Sequence, residues 1–385
     1  MRIDIKTQEE CCGCTACANI CPTKAITMQK DSLGFYYPKI EDKLCINCGA
    51  CTKHCQFHSD YNRYDNYNVP VIYGGRLRDT KALSQCQSGG ASEALIKAFL
   101  SFPGIVYGVA LEKDNIHVVH KRATNINNCK QFRGSKYVQS DLTNIFNNVK
   151  EDLKNGERVL FFGTGCQVAG LKAYLPVYLH KNLTCIDIVC HASPSPALWE
   201  SYIQFISNKY GDTVEHADFR DKSYGWFSFN ESFILKHKKG KIKRGSFIFL
   251  FFKHLSVRKS CANCPYTNIN RVGDITIGDF WGWKKFHSEW NDDKGVSLCM
   301  INSNKGERLF SETKDYFIAI ESRIEECLQP QLMHPCKLHP KRDEFEKDFS
   351  EHGFLYVAKK YGDLSLLERI KKILRPIYNK FKRKK

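Results

Sequence analysis

Apolar positions 142, 145, 146, 149 and 153 return every three to four residues. SDLTNIFNNVKEDLKNG (140–156) is therefore expected to be a helix, with Ser140 as its N-cap and Gly156 as its stop. The same period runs through Ala91, Leu95, Ala98 and Phe99 of GGASEALIKAFL (89–100), and SPSPALWESYIQFISNKY reads as a third helix. Elsewhere the pattern shortens to unbroken apolar runs. RVLFF (158–162) and LTCIDIVC (183–190) read as buried strands, and GIVYGVALE with IHVVHK as a strand pair. SYGWFSFNESFILKH, DITIGDF and VSLCMINS add more strands. Strands alternating with helices at this spacing predict a parallel α/β element. The chain is thus expected to be α+β or mixed α/β, with some antiparallel strands. FIFLFF (247–252), bracketed by Arg244 and Lys253, falls far short of the roughly 18–20 apolar residues of a spanning helix and reads as core. No N-terminal segment reads as a signal peptide, so a cytoplasmic protein is expected.

One junction carries chemistry. In VLFFGTGCQVAGLKAYL (159–175) a strand runs through a glycine turn into a helix, the outline of a dinucleotide phosphate loop. Position 168 is Val where that fingerprint needs glycine, and no acidic residue downstream is placed to hold a ribose. Cys166 at the apex is better read as a metal ligand.

Cysteine usage supports that reading. The chain has 19 cysteines in 385 residues, odd in number and clustered, which favours metal ligation in a reducing compartment over a disulfide framework. CCGCTACANICP and CINCGACTKHC each hold C-x2-C-x2-C-x3-C. In such ferredoxin-type runs three cysteines bind one [4Fe-4S] cluster and the fourth ligates the other. The crossed assignment gives Cys11, Cys14, Cys17 and Cys55 to one centre, and Cys45, Cys48, Cys51 and Cys21 to the second. Zinc would need one tetrahedral group and no three-plus-one repeat. Cys12 lies outside the register and reads as a buried apolar residue or a group beside the cluster. The second run has Gln56 where the first has Pro22. The insert 31–43 is expected to form a hairpin that shields the clusters. Further along, Cys166, Cys190, Cys261 and Cys264 follow apolar segments. They could build a third [4Fe-4S] centre, or be core cysteines plus a CxxC redox pair. Cys185 reads as core, and Cys86, Cys129, Cys299, Cys327 and Cys336 as packing.

These features divide the chain into a ferredoxin-like module (1–60), a linker (61–70, within HSDYNRYDNYNVP), a large domain (71–345) and a basic tail (346–385). The formal charge is +17, but the last 16 residues hold eight basic and no acidic side chains, leaving +9 for the rest. Anionic clusters lower the field further. With no reader motif among the basic residues, a nucleic-acid partner is not expected. An acidic electron carrier such as a ferredoxin is the expected partner. Ile370, Ile373, Leu374, Ile377, Tyr378 and Phe381 recur at helical spacing among lysines and arginines, interrupted by Pro376. This segment either rests on an anionic membrane, on the inner face, or packs on the domain.

SQCQSGG (84–90), FRGSKYVQS (132–140), LFFGTGCQVAGLK (160–172), DIVCHASPSPALW (187–199), FRDKSYGW (219–226), RKSCANCPYTNINRVGDITIGDFWG (258–282) and DDKGVSL (292–298) carry a resemblance. From about Glu10 to Phe345 the chain resembles the family of coenzyme F420 hydrogenase/dehydrogenase beta subunits, which includes 7-hydroxymethyl chlorophyll a reductase. The resemblance implies an iron–sulfur flavoprotein oxidoreductase carrying FAD rather than FMN, with Cys166, Cys190, Cys261 and Cys264 holding the third cluster. It implies electron exchange between a ferredoxin-like carrier and a small molecule, either F420 or a substrate of polysaccharide biosynthesis. The alternative is an electron-transfer subunit of a larger redox complex, or a homo-oligomer, with no organic substrate of its own. The chain departs from the family pattern at Gly165 (usually proline), Ala192 (usually glycine) and Cys86 within the SSSGG element. Candidate flavin contacts are Ser88, Gly89 and Gly90, whose amides precede a helix, and Arg133, Ser135 and Lys136 in a polar loop. Asp274 and Asp279, flanking ITIG, complete the set, and His191 beside Cys190 is a candidate for tuning. Solvated loops and ordinary turns are the alternative roles.

Overall fold

Each cysteine run closes on a short helix, Ala16–Ile20 in the first and Ala50–Lys53 in the second. Between them β1 (Ile26–Lys30) pairs antiparallel with β2 (Tyr36–Ile40). The expected hairpin is present, shifted so that 31–35 form its turn, with the Asp31 carboxylate accepting from the Leu33 and Phe35 amides at 3.0 and 2.8 Å. Its tip docks on the large domain. Leu33 and Phe35 are fully buried in a core shared with Leu198 and Trp199, and the Leu33 carbonyl accepts from the Ser195 hydroxyl at 2.6 Å. This computed structural model describes residues 2, 3, 6–57, 66–368, 370, 371 and 374. Half of the expected linker (61–65) and the end of the basic tail, with Ile373, Ile377, Tyr378 and Phe381 of its apolar repeat, lie outside them.

The large domain is built on an eight-stranded mixed sheet. Its order is β13 (Phe317–Ser322), β3 (Val71–Leu77), β12 (Ser297–Ile301), β11 (Ile275–Asp279), β7 (Leu183–Ile188), β6 (Val159–Thr164), β4 (Ile105–Leu111) and β5 (Val118–Ala123). The four central strands β11, β7, β6 and β4 are parallel, and the flanking pairs are antiparallel. The central runs are apolar because helices cover both faces. Phe146, Val149, Val168 and Leu171 pack on one face, and Leu95, Phe99 and Leu309 on the other. A second sheet, β10 (Lys241–Arg244), β9 (Glu231–Leu235) and β8 (Val214–Asp218), packs with the Pro196–Tyr210 helix around Trp199, Tyr202, Phe233 and Phe247.

Two boundaries differ from the sequence reading, and FIFLFF lies in the core as expected. The helix expected from Ser140 runs Ile145–Lys154, because the Asp141 carboxylate first turns the chain by accepting from the Thr143 amide at 2.7 Å. Ser140 instead accepts from Gln167 at 2.9 Å. FIFLFF is a helix, Ser246–Phe252, with Phe247, Ile248, Leu250 and Phe251 buried. The Arg342–Lys360 helix crosses the expected domain end at 345 and buries Phe345, Phe349, Phe354 and Val357, so it belongs to the large domain's core. Among the described residues no helix is long and apolar enough to cross a membrane.

Candidate iron–sulfur and cofactor site

In a parallel sheet the crevice beyond the strands' carboxyl ends collects functional groups, because loops there converge without disturbing the core. Here that edge delivers Thr164 and Cys166 from β6, Ile188 and Cys190 from β7, and Asp279 from β11 to one cavity of ≈ 380 Å³. Cys166 lies in the first turn of the Gly165–Tyr174 helix. Thr164 caps that turn, its amide donating to Gln167 Oε1 at 3.0 Å, so the glycine at 165 leaves the turn fixed. Cys261 and Cys264 come from the Lys259–Asn263 turn and line the same cavity.

The four thiols expected to form a third set thus converge. Cys336, read from the sequence as packing, is near enough for its charge to act on Cys190 and Cys261. Burial pushes the Cys190, Cys261 and Cys264 thiols up from their ordinary range. Unliganded, they would be neutral and inert; thiolate character needs a bound cation. Among the described residues no three or more His, Cys, Asp or Glu side chains close on a single metal ion.

The N-terminal module repeats the arrangement. Cys11, Cys14, Cys17 and Cys55 line one small cavity, which Cys21, Cys45, Cys48 and Cys51 do not line. Cys48 of the second group is exposed. Cys12 lines both this cavity and the large-domain one, and its sulfur accepts from Gln56 Nε2 at 2.9 Å. Gly170 shows how close the modules lie, since a Cβ there would stand 2.7 Å from both Cβ and Sγ of Cys14. Arg258 Nε donates to the Cys11 carbonyl at 2.7 Å, and Gln139 Nε2 to the Cys12 carbonyl at 2.9 Å. Cys12, Gln56, Gln139 and Arg258 escaped the sequence reading as contacts between modules. The one available signal was Arg258, three residues before Cys261.

The candidate flavin residues fare unequally. Ser88 holds φ 49° with its hydroxyl donating to the Val296 carbonyl at 2.6 Å. The Gly89 amide donates to Ser297 Oγ at 2.9 Å, and a Cβ at 89 would stand 2.0 Å from the Gly75 carbonyl oxygen, so this glycine permits close backbone packing. The Gly90 amide donates to the Gln87 carbonyl at 3.1 Å. Arg133 is paired bidentately with buried Glu93 at 3.0 and 2.7 Å. Lys136 Nζ donates to the Gln131 and Arg133 carbonyls at 3.1 and 2.5 Å, and burial pushes its pKa down to about 7. Ser135 and Asp279 line the cavity, Asp279 bound to Arg220 at 2.8 Å and to the Trp226 indole at 2.6 Å. Asp274 sits at the other end of β11, taken up by the Cys185 amide at 2.8 Å and the Ser303 hydroxyl at 2.6 Å. His191 contacts His254 Nε2 at 2.7 Å and Gln331 at 2.7 Å. The sequence reading missed the cavity's aromatic wall of Phe229, Phe252 and Trp281, with Arg220 over the Phe229 and Trp281 rings at 4.6 and 5.1 Å. A planar ring system fits that wall, whereas the donors of Arg133, Lys136 and Gly89 are already engaged.

Comparison with known proteins agrees with this layout. The 4Fe-4S dicluster domain family matches residues 10–59, and the family described as the C terminus of the coenzyme F420 hydrogenase/dehydrogenase beta subunit matches residues 156–325. An F(420)H(2) dehydrogenase subunit of Methanosarcina mazei is 21% identical over 198 residues, covering 49% of this chain and 56% of that protein. A polyferredoxin-like protein of Methanocaldococcus jannaschii is 37% identical over 67 residues, covering 14% of this chain and 38% of its own length. The chain therefore spans about half or less of these curated relatives. A solved chain from the F420-reducing [NiFe] hydrogenase complex of Methanosarcina barkeri aligns with TM-score 0.47 and 16% identity, over 77% of this chain and 91% of that one. Residues 156–325 thus match the C-terminal domain of the coenzyme F420 hydrogenase/dehydrogenase beta subunit family, and residues 10–59 form an N-terminal 4Fe-4S dicluster module.

Proposed function

We propose that this protein is the iron–sulfur electron-transfer subunit of a larger redox assembly, receiving electrons at the ferredoxin-like module and handing them on at the large domain. The observation that carries this reading is Cys12, which lines both the small cavity of Cys11, Cys14, Cys17 and Cys55 and the large-domain cavity of Cys166. In this reading Cys11, Cys14, Cys17 and Cys55 hold an inner cluster, and Cys45, Cys48, Cys51 and Cys21 an outer one. Cys166, Cys190, Cys261 and Cys264 hold a third. When bound, such clusters supply one-electron transfer, and a flavin would exchange single electrons for pairs. The exposed position of Cys48 suits contact with an external carrier such as a ferredoxin. The relative named as a dehydrogenase subunit supports a role beside a partner.

A second reading gives the protein its own small-molecule substrate. It is favoured by the ≈ 380 Å³ cavity, within the usual range of ligand sites, and by its aromatic wall. Phe229, Phe252 and Trp281 would hold the flavin ring, FAD in this reading, and exclude water from it. Ser135, Asp279 and the Ser88–Gly90 turn would border the ring.

Anaerobic purification with iron, sulfide and flavin quantified together tests the proposal. About twelve irons per chain are expected for three clusters. About eight would remove the third set, and no iron would sink the proposal. Turnover of a small molecule by the isolated chain would favour the second reading. Activity only on adding a partner subunit would favour the first.

A further inference from the structure

Among the described residues five arginines are buried, and four of them hold a carboxylate. Arg76 pairs with Asp292 at 2.9 Å, Arg220 with Asp279 at 2.8 Å, Arg271 with Asp187 at 2.7 Å and Arg342 with Glu346 at 2.6 Å. Arg258, 1% exposed, has no carboxylate partner among the described residues. Its guanidinium donates to the Cys11 carbonyl at 2.7 Å, Gln139 Oε1 at 3.0 Å, the Tyr36 carbonyl at 2.8 Å and Cys11 Sγ at 3.6 Å. It stacks over Tyr37 at 4.1 Å. Asp31 acts on it through its field without contact; its Oδ1 accepts from the Leu33 and Phe35 amides and its Oδ2 is buried with no hydrogen-bond partner.

A buried charge left without a counter-charge is costly, so such groups are paired. The side chain able to carry negative charge that Arg258 hydrogen-bonds is the Cys11 sulfur. Arg258 touches Cys11 directly, and its charge acts on Cys12, Cys261 and Cys166, which lie on both sides of the seam between the modules. A cubane held by four thiolates is anionic and gains a further negative charge on reduction. Burial by itself disfavours that more highly charged state. We infer that Arg258 is the counter-charge of the electron at this seam, raising the reduction potential of the cluster held by Cys11, Cys14, Cys17 and Cys55. This rests on the iron–sulfur reading proposed above. Arg258 acts there as a positioning and tuning residue: it orients the Cys11 loop through its carbonyl and offsets negative charge at its sulfur.

The test is a reductive titration followed by electron paramagnetic resonance on the full-length, anaerobically purified protein and three variants. Arg258→Gln is expected to keep its iron and to lose at least tenfold in the equilibrium constant for reduction of one N-terminal cluster, a fall of about 59 mV for one electron. Arg258→Lys, which keeps the charge, is expected to lie between that variant and the wild type. Gln139→Glu sets a carboxylate against the guanidinium without removing it, and is expected to lower the same midpoint. Unchanged midpoints in an iron-replete Arg258→Gln protein would overturn the inference, as would a fall in Arg258→Lys equal to that in the glutamine variant. Should Arg258→Gln lose its iron, Gln139→Glu decides, and an unshifted midpoint there is fatal. Absence of cluster signals from the wild type would overturn the iron–sulfur reading and this inference with it.

Discussion

Gln56 Nε2 donates a hydrogen bond to the Cys12 sulfur at 2.9 Å, and its Oε1 accepts one from the Tyr266 hydroxyl. Gln56 is fully buried, so this amide joins the ferredoxin-like module to the large domain where no water can replace it. Removing one partner of a buried hydrogen bond costs about 1–3 kcal/mol. Gln56→Leu would remove the hydrogen bond from the Tyr266 hydroxyl and the one to the Cys12 sulfur together. A drop of several degrees in the thermal midpoint is expected, measured by circular dichroism on anaerobic protein. An unchanged midpoint would show that the amide does not hold the modules together.

That contact also marks where the sequence stopped being informative. Gln56 stands where the first cysteine run has a proline, and the substitution reads as a neutral departure until Tyr266, 210 residues away, comes into contact. Periodicity located the central strands because β4, β6, β7 and β11 are buried on both faces and must be apolar. It misplaced the start at Ser140 because a side-chain turn from Asp141 competes locally with the helix. The N-terminal cysteines were legible because their ligand spacing is local. Cys336 was not, since its nearness to Cys190 and Cys261 arises only from the fold. The aromatic wall was equally hidden, with Phe229, Phe252 and Trp281 contributed by three separate segments.

Gly170 tests how tightly the two modules must meet. An alanine Cβ would lie 2.7 Å from the Cβ and Sγ of Cys14, closer than packed carbon atoms come. Overpacking of this kind costs about 1–3 kcal/mol, and here the yielding side is a proposed cluster ligand. Gly170→Ala is expected to lower the iron content after purification, and Gly170→Val to lower it further. Equal iron in all three proteins would mean that the Cys14 loop moves freely away from the helix.

Glu231 gives the large domain a defined response to pH. Burial raises its pKa to about 8, while its oxygens accept from the Ile248 amide at 2.6 Å and the Tyr202 hydroxyl at 3.0 Å. In the unfolded chain a glutamate titrates near about 4.3. Between these values the folded state binds the extra proton, so stability falls as pH rises from about 4.3 through about 8. Glu231→Gln removes the titration and is expected to flatten this part of the profile, read from denaturant midpoints at pH 5, 6.5 and 8. A variant with the same slope as the wild type would assign the dependence to other groups.

Leu366, Leu367, Ile370 and Leu374 are exposed, with relative accessibilities of 74, 63, 45 and 53%, and they recur on one side of a helical repeat beside Lys371. An apolar stripe with flanking cations binds anionic bilayers by burying carbon while the cations meet headgroups. Replacing Leu366, Ile370 and Leu374 by Ser together is expected to abolish flotation with anionic vesicles and to leave the thermal midpoint unchanged. Wild-type protein that stays in the soluble fraction would rule out the membrane role.

The six thiols along the seam can be sorted by iron content. Cys166, Cys190, Cys261 and Cys264 all line the large cavity, whereas Cys336 acts on it from behind and packs among Ala192, Val257 and Leu338. Ligation by the first four predicts that Cys190→Ser lowers iron from about twelve to about eight per chain, the content of one cubane. Cys336→Ser is expected to remain near about twelve. Cys12→Ser should also keep its iron, since Cys11 fills the ligand position three residues before Cys14. A Cys336→Ser protein that loses about four irons while Cys264→Ser keeps them would exchange the roles of those two residues. The same result would turn the CxxC pair into a single ligand with a free neighbouring thiol.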